Sequence, residues 1–398
     1  MSDPDLGGMD LTVVAVADTE QYVRLSAAMF DALPGHGHTV GLAVVRSPIA
    51  PAPARLRGAV ADTGLAGRRV PVLTLPELRR LIRRRVPDVV MLNCTARVTD
   101  ALSGILPTGR RRPVVVSTLP APALPAGEHE WLHRSRVDLL VLHSLREVTA
   151  FAELGEKIGV GAEVALAGTP LPIVREPRRA RPHRVVFAAQ DHVPAPPRHR
   201  ERILEALADL AENRPDLEVV VCPGERRTTA PGGDYEELWR SLVAAGSVRD
   251  HTVLFRAGPV AAQLDRARGL VTVGSPTALE AISMDVPVIV LSDVGDDAGA
   301  TVFEDGDLFG TLDDVRAVRF RVPSPRWARE NHFHPPERED WTRRLAELVL
   351  RTRRGELPAR PTLLDESVHR RARRRILADL GGAPSLLRSG PRAPWPAH

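Results

Sequence analysis

VTVGSPTALEAISMDVPVIVL, residues 271–291, reads as strand, turn, helix and strand in one short stretch. The β-branched run ends at Gly274, Ser275 suits a helix N-cap, and Pro276 suits the first helical position. A helix over Thr277–Ser283 then sets Ala278, Leu279 and Ile282 on one side, and Val286–Leu291 is apolar again. Two apolar strands joined by a helix make a βαβ unit, which places the strands parallel.

The same alternation continues on both sides of this stretch. Toward the N-terminus, strands are expected at Arg184–Ala188, Glu218–Cys222 and Thr252–Phe255, with helices at His199–Glu212 and Tyr235–Ala245 between them. A helix over Asp340–Arg351 is expected to close this half. An earlier series runs from Leu11–Ala17 through Val40–Val45, Val70–Leu73, Asp88–Leu92, Val114–Ser117 and Asp138–Leu142 to Glu163–Ala167. Its helices fall at Tyr22–Leu33, Pro76–Arg85, Thr95–Ile105, Glu128–Arg134 and Leu145–Lys157. Most strands are continuous apolar runs, as strands covered on both faces require. Between the two series, Pro172–Pro182 is rich in proline and arginine without periodicity and reads as a linker.

The fold class expected is therefore α/β, with two Rossmann-like doubly wound parallel-sheet domains facing across a cleft. The first covers residues 1–175 and the second 176–355. Residues 356–398 form a tail with one basic amphipathic helix, Leu363–Leu380, and disorder from Gly381 onward. At 398 residues the chain exceeds what one core usually serves, which agrees with two domains.

Composition excludes several function classes. Lys157 is the only lysine and no glycine-rich phosphate loop precedes it, so a P-loop NTPase is out. A Schiff-base enzyme would have to use Lys157, which reads as the tail of a surface helix. Cys94 and Cys222 make neither a disulfide framework nor a metal pair, and no signal peptide or membrane-spanning run is present, so a reducing cytoplasm is expected. The net charge of +4 comes from arginine in an Ala-, Pro- and Gly-rich chain, a composition that GC-rich coding favours. With aromatics at only 4%, the basic runs lack stacking platforms and nucleic acid is not expected as a partner. The runs Arg83–Arg85, Arg110–Arg112 and Arg373–Arg375 are solvated faces that together could seat the chain on the inner face of an anionic membrane.

Ligands of open α/β sheets bind beyond the carboxyl ends of the strands, so the loops there hold the candidate residues. The turn Gly274-Ser275-Pro276-Thr277 offers amides and two hydroxyls to a phosphate, and Glu280, one turn on, can reach a ribose hydroxyl. Gln190, after the first strand of the second domain, faces the cleft mouth, and the loop with Gly224 and Glu225 can bracket a diphosphate. In the first domain, Asp18 and Glu20 sit at a strand–helix junction and either can be a general base; capping of the helix is the competing role. His143 can be an acid, a base or a phosphate contact, or a satisfied half-buried histidine. His129-Glu130-Trp131-Leu132-His133 matches a zinc-hydrolase motif, but its short helix leaves no neighbour to present a third ligand. His36/His38 and His332/His334 read as solvated loop pairs.

In order along residues 11–346, several segments resemble an actinobacterial family of GT-B type glycosyltransferases, itself distantly similar to capsule-polysaccharide and sialyl-type transferases. They are Val16–Tyr22, Arg46–Pro51, Pro87–Val90, Ser117–Pro120, His143–Val148, Phe187–Gln190, Pro223–Glu225, Ser275–Ala281 and Asn331–Phe333. The resemblance implies a nucleotide-sugar donor on the second domain and a glycan or lipid-linked acceptor on the first. It implies no cofactor and no bound metal, with Asp18 or Glu20 as base and His143 behind them. The chain departs from the family at Val221-Cys222, where relatives carry basic residues, at Leu119-Pro120-Ala121, and at Ser275-Pro276-Thr277. Lost basic groups near a diphosphate would weaken donor binding, so a non-catalytic binding protein of the same fold is the first alternative; a nucleotide-sugar epimerase and an HExxH zinc hydrolase follow it.

Overall fold

A computed structural model describes residues 6–35, 37–109, 112–171, 182–223, 235–295 and 298–381, with side chains at 298–299 and 366–368 excepted. The expected linker, the loop holding Gly224 and Glu225, and the tail beyond Gly381 lie outside the described residues.

The first sheet contains β1 (Thr12–Ala17), β2 (Thr39–Val45), β3 (Val72–Leu73), β4 (Val89–Asn93), β5 (Val114–Thr118), β6 (Leu139–Leu142) and β7 (Glu163–Leu166). The second contains β8 (Arg184–Ala188), β9 (Glu218–Cys222), β10 (Leu254–Phe255), β11 (Ala267–Thr272), β12 (Val288–Leu291) and β13 (Phe309–Gly310). Their orders are β3-β2-β1-β4-β5-β6-β7 and β10-β9-β8-β11-β12-β13. Every strand pair is parallel, as the apolar runs demanded. Strand order reverses between β1 and β4 in one sheet and between β8 and β11 in the other, which opens a crevice at each point.

Helices cover both faces of each sheet. On one side of the first sheet, Val13, Ala15, Met91 and Val116 pack beneath Val23, Ala27 and Phe30 of the helix Glu20–Asp31. On the other, Val14, Val90 and Val115 meet Leu78, Ile82 and Ala101. The second sheet is sandwiched likewise, around Phe187, Val219 and Leu207 on one face and Val186, Leu279 and Phe303 on the other.

Two C-terminal helices depart from the sequence expectation. The helix Trp341–Arg353 does not close the second domain: Trp341, Leu345, Leu348 and Val349 lie in the core of the first. Just before it, Asp340 extends the free edge of β7, its N–H donating to Leu166 O (3.1 Å) while its Oδ1 accepts from Leu166 N (2.9 Å). The amphipathic helix expected near Leu363–Leu380 spans Glu366–Leu380, and it too joins the first domain, with Ile376 and Leu380 packed on the opposite face of that sheet. Helical periodicity reveals an apolar stripe but carries nothing about which of two domains will bury it.

Candidate functional site

The crevice of the first domain is closed from within. Asp18, at the end of β1, is fully buried, and its Oδ2 accepts from Thr95 N at 2.9 Å and Thr95 Oγ1 at 2.6 Å, beyond the end of β4. The carboxylate thus caps the helix Ala96–Ser103 across the switch point. Burial pushes its pKa up, against the Thr95 bonds and the Arg134 charge, which favour the ionised form. Beneath it, buried Arg134 donates to Ser117 Oγ (3.1 Å), Cys94 O (2.9 Å) and Tyr22 Oη (3.3 Å), and pairs with Glu130. Asp18 is a tie between strands with no access to an acceptor hydroxyl, which corrects the expectation of a general base there.

Glu20 is less enclosed, half-buried with its Oε2 lacking a hydrogen-bond partner. Thr19 caps the helix, accepting from Tyr22 N, and Glu20 opens the first turn with its side chain 22% exposed. It pairs with Arg24 at 3.1 Å and Arg55 at 3.7 Å. Arg24 also acts on Glu280 of the second domain, where burial raises the carboxyl pKa and the Arg24 charge lowers it. Glu20 follows the carboxyl end of β1 and Glu280 lies one turn beyond that of β11.

The turn after β11 differs from its sequence expectation in two respects: the N-cap position falls on Pro276 rather than Ser275, and the amides are not free. Its amides are already engaged: Ser275 N donates to Thr272 Oγ1 (3.1 Å), Thr277 N to Ser275 Oγ (3.3 Å), Ala278 N to Ser275 O (3.0 Å) and Leu279 N to Pro276 O (2.9 Å). The helix is only seven residues long. What it offers a ligand is the hydroxyl pair Ser275–Thr277, 3.0 Å apart, and the half-buried Glu280 beyond buried Gly274. Gln190 lies in the neighbouring loop after β8, with its Oε1 buried and unpartnered. That loop is drawn tight by Val193 N donating to Gln190 O (3.2 Å) and Tyr235 Oη donating to Val193 O (2.7 Å).

His143 occupies neither edge of the cleft but a buried joint between the domains. Its Nδ1 lies 2.9 Å from Gly168 O, and its Nε2 is buried without a hydrogen-bond partner. Glu147, three residues past the helix-capping Ser144, accepts from Ala123 N (2.6 Å) and His143 N (3.0 Å). From the second domain, His332 brings its Nε2 to 3.6 Å from Glu147 and its Nδ1 to 3.2 Å from Thr169 Oγ1. His332 and His334, read as solvated from sequence, are buried. The one sequence signal pointing to them was the Asn331-His332-Phe333 segment of the family resemblance.

Burial dominates at this joint. It raises the Glu147 pKa, lowers that of His143 and pushes His332 down to about 4, despite the carboxyl 3.6 Å away. An imidazole with a depressed pKa stabilises the fold above its unfolded value near 6.5, and that contribution is lost as pH falls toward 4. The stability advantage of wild type over His332→Gln should therefore shrink by about 3 kcal/mol between pH 7 and 4. Urea titrations of both proteins across that range check it. A constant difference would mean that the ring is already charged, or wet, at neutral pH.

The zinc-like motif is likewise tied up. Glu130 is paired to Arg134, Trp131 Nε1 donates to Phe151 O at 2.7 Å, and His133 Nδ1 sits 2.9 Å from His129 O. Among the described residues no group of three His, Cys, Asp or Glu side chains is placed to hold a metal ion.

The family described as "Putative glycosyltransferase (DUF6716)" matches residues 13–348. No curated protein matches the chain. Among solved structures, that of S. aureus MnaA with UDP is similar over 89% of this chain and 100% of its own, at 11% identity and a TM-score of 0.56. UDP-GlcNAc 2-epimerase of Methanocaldococcus jannaschii is similar over 86% of this chain and 99% of its own, at 12% identity and 0.52. At such identities the likeness is one of fold, and the fold is GT-B: two Rossmann-like domains with a cleft between their sheets.

Proposed function

The chain belongs to this glycosyltransferase family, and from that premise we propose that it moves a sugar from a nucleotide-linked donor to a cell-envelope or polysaccharide acceptor. The observation that carries the reading is the cluster beyond β11, where the Ser275 and Thr277 hydroxyls lie 3.0 Å apart with half-buried Glu280 one turn on, while half-buried Glu20 follows the carboxyl end of β1. In this reading Ser275, Thr277 and Gln190 hold the donor, with Gly224 and Glu225 from the adjoining loop and Gly274 leaving room for close approach. Glu280 takes a ribose hydroxyl, and Glu20 accepts the proton of the attacking acceptor hydroxyl. Charge leaving on the nucleotide is met by hydroxyls and by arginine rather than by a metal ion. A lipid-linked acceptor would bring the first domain to a membrane surface.

An epimerase acting on a nucleotide sugar is the second reading, favoured by the fold shared with the M. jannaschii enzyme. Formation of product from donor alone, without acceptor, decides for it. A protein that binds the donor without turnover is the third, since Val221 and Cys222 are apolar where the family resemblance implies basic residues near the diphosphate.

A thermal-shift panel of CMP, CDP, UDP, GDP and ADP on wild type and Ser275→Ala tests the donor site. UDP comes first because MnaA binds it on this fold. A ligand at about 100 times its dissociation constant adds roughly 2.7 kcal/mol, a rise of about 5–10 °C for a domain of this size. The expected result is a shift with one nucleotide that the serine variant loses. No shift with any nucleotide at millimolar concentration would remove the donor site.

A further inference from the structure

We propose that the first domain docks on an anionic membrane through one arginine-covered face built from three helices that are distant in sequence. The helices Leu75–Arg85, Ala96–Ser103 and Glu366–Leu380 pack side by side on the same face of the first sheet, through Leu78, Ile82, Ala101, Leu102, Ile376 and Leu380. Their outer sides therefore look the same way. The first exposes Arg79, Arg80 and Arg83 to Arg85, the second Arg97, and the third Arg370, Arg371, Arg374 and Arg375. None of these arginines forms an ion pair among the described residues, and the acidic side chains described as exposed on these helices are Glu77 and Asp379, with Asp365 exposed just before the third. Arg373 is the exception that assembles the face. It is turned inward, donating to both oxygens of Asp100 (3.0 and 3.1 Å), and this seats the third helix against the second.

Sequence runs alone gave a different grouping. Arg112, from the middle run, is buried and bonded to Asp138, so it contributes nothing to a surface. Arg97, outside every run, does contribute.

Anionic lipid suits this face for three reasons. Guanidinium groups bind phosphate oxygens in pairs, and an extended array of them matches a plane of headgroups. The face contains no phenylalanine, tyrosine or tryptophan on which a nucleic-acid base could stack, and its one histidine ring, His369, lies edge-on to His133 with centroids 6.0 Å apart. At the end of the first helix, next to Arg83–Arg85, Val86 is 77% exposed, an apolar group at a rim of charge that can enter the headgroup layer. No helix of the described residues is long and apolar enough to cross a membrane, so the contact is a surface one. The cleft opens at the carboxyl ends of the strands, beside this face rather than beneath it, and stays accessible. That the docking serves a lipid-linked acceptor rests on the glycosyltransferase reading; the binding itself does not.

Sedimentation of the full chain with vesicles tests it, using phosphatidylcholine alone and phosphatidylcholine mixed with phosphatidylglycerol. Binding is expected only to the anionic vesicles, and to fall as salt shortens the screening length below about 8 Å. The variant Arg83→Glu/Arg84→Glu/Arg374→Glu/Arg375→Glu should partition at least about 100-fold more weakly. A control with reversed charge on the second domain, Arg240→Glu/Arg329→Glu, should bind as wild type does. Failure of wild type to bind anionic vesicles at low salt overturns the proposal. Equal loss in the control overturns it too, by assigning the attraction to net charge. Tighter binding of duplex DNA or RNA than of vesicles through the same arginines assigns the face to nucleic acid instead. Equal melting temperatures establish that the variants fold, and the nucleotide-induced shift, measured on the same proteins, reports on the transferase reading separately.

Discussion

Asp138→Ala is expected to cost the first domain about 4 kcal/mol, because removing one partner strands a buried charge. Asp138 is fully buried at the start of β6, and its oxygens accept from Arg112 Nη1 and Nη2 at 2.7 Å each and from Val115 N at 2.9 Å. Arg360, from the segment leading to the last helix, adds a third cationic donor at 3.2 Å. Truncation leaves the Arg112 guanidinium, itself 4% exposed, without its counter-charge. The melting temperature should fall by roughly 10 °C. Arg360→Ala, removing a partner that is 17% exposed, should cost only about 1 kcal/mol, and exposed Arg326→Ala should leave the melting temperature unchanged. Calorimetry of the three variants gives the order. A loss below about 1 kcal/mol for Asp138→Ala would mean that water reaches the pair.

Glu20→Gln and Asp18→Asn should separate chemistry from architecture. Under the glycosyltransferase reading, Glu20→Gln lowers turnover by about 100-fold or more, as loss of a general base does, with nucleotide binding and melting temperature nearly unchanged. Its surface pairs with Arg24 and Arg55 contribute little to stability. Asp18→Asn should do the reverse. The amide oxygen can still accept from Thr95, but its NH2 replaces an oxygen that has no partner in a fully buried site, at a cost of about 1–2 kcal/mol. Turnover per folded molecule should hold. If Asp18→Asn abolishes turnover without loss of stability while Glu20→Gln is silent, the two roles are exchanged and the cleft geometry is misassigned. The assay is sugar transfer or donor hydrolysis, run with whichever nucleotide shifts the melting curve.

The candidate site was legible unevenly. Capping at Ser275 was legible only in part: its hydroxyl does bond a local amide, that of Thr277 two residues on, but the N-cap position falls on Pro276. The same locality predicted free amides at that turn, yet Thr272, from the strand before it, takes one of them. Asp18 and Glu20 looked equivalent as two carboxylates at one junction. They differ because strand β4 delivers Thr95 to one and the other stays half-buried, a distinction that depends on residues 77 positions apart. His332 and His334 are separated by one residue in a polar stretch, yet both are buried, and His332 lies 3.6 Å from Glu147 on the helix Leu145–Ile158 of the other domain.

What the sequence determined by itself was the class of fold: apolar β-branched runs alternating with helical stripes can be satisfied only by parallel sheets covered on both faces, and such runs occur in two series. Tertiary structure alone decided to which domain the last two helices belong, that Asp18 is buried and Glu20 half-buried, and that arginines from residues 79–97 and 370–375 share one surface. The physical reason is range. Periodicity, capping and turn chemistry act over a few residues and survive in the linear pattern, whereas burial and charge pairing are set by neighbours brought in from elsewhere in the chain.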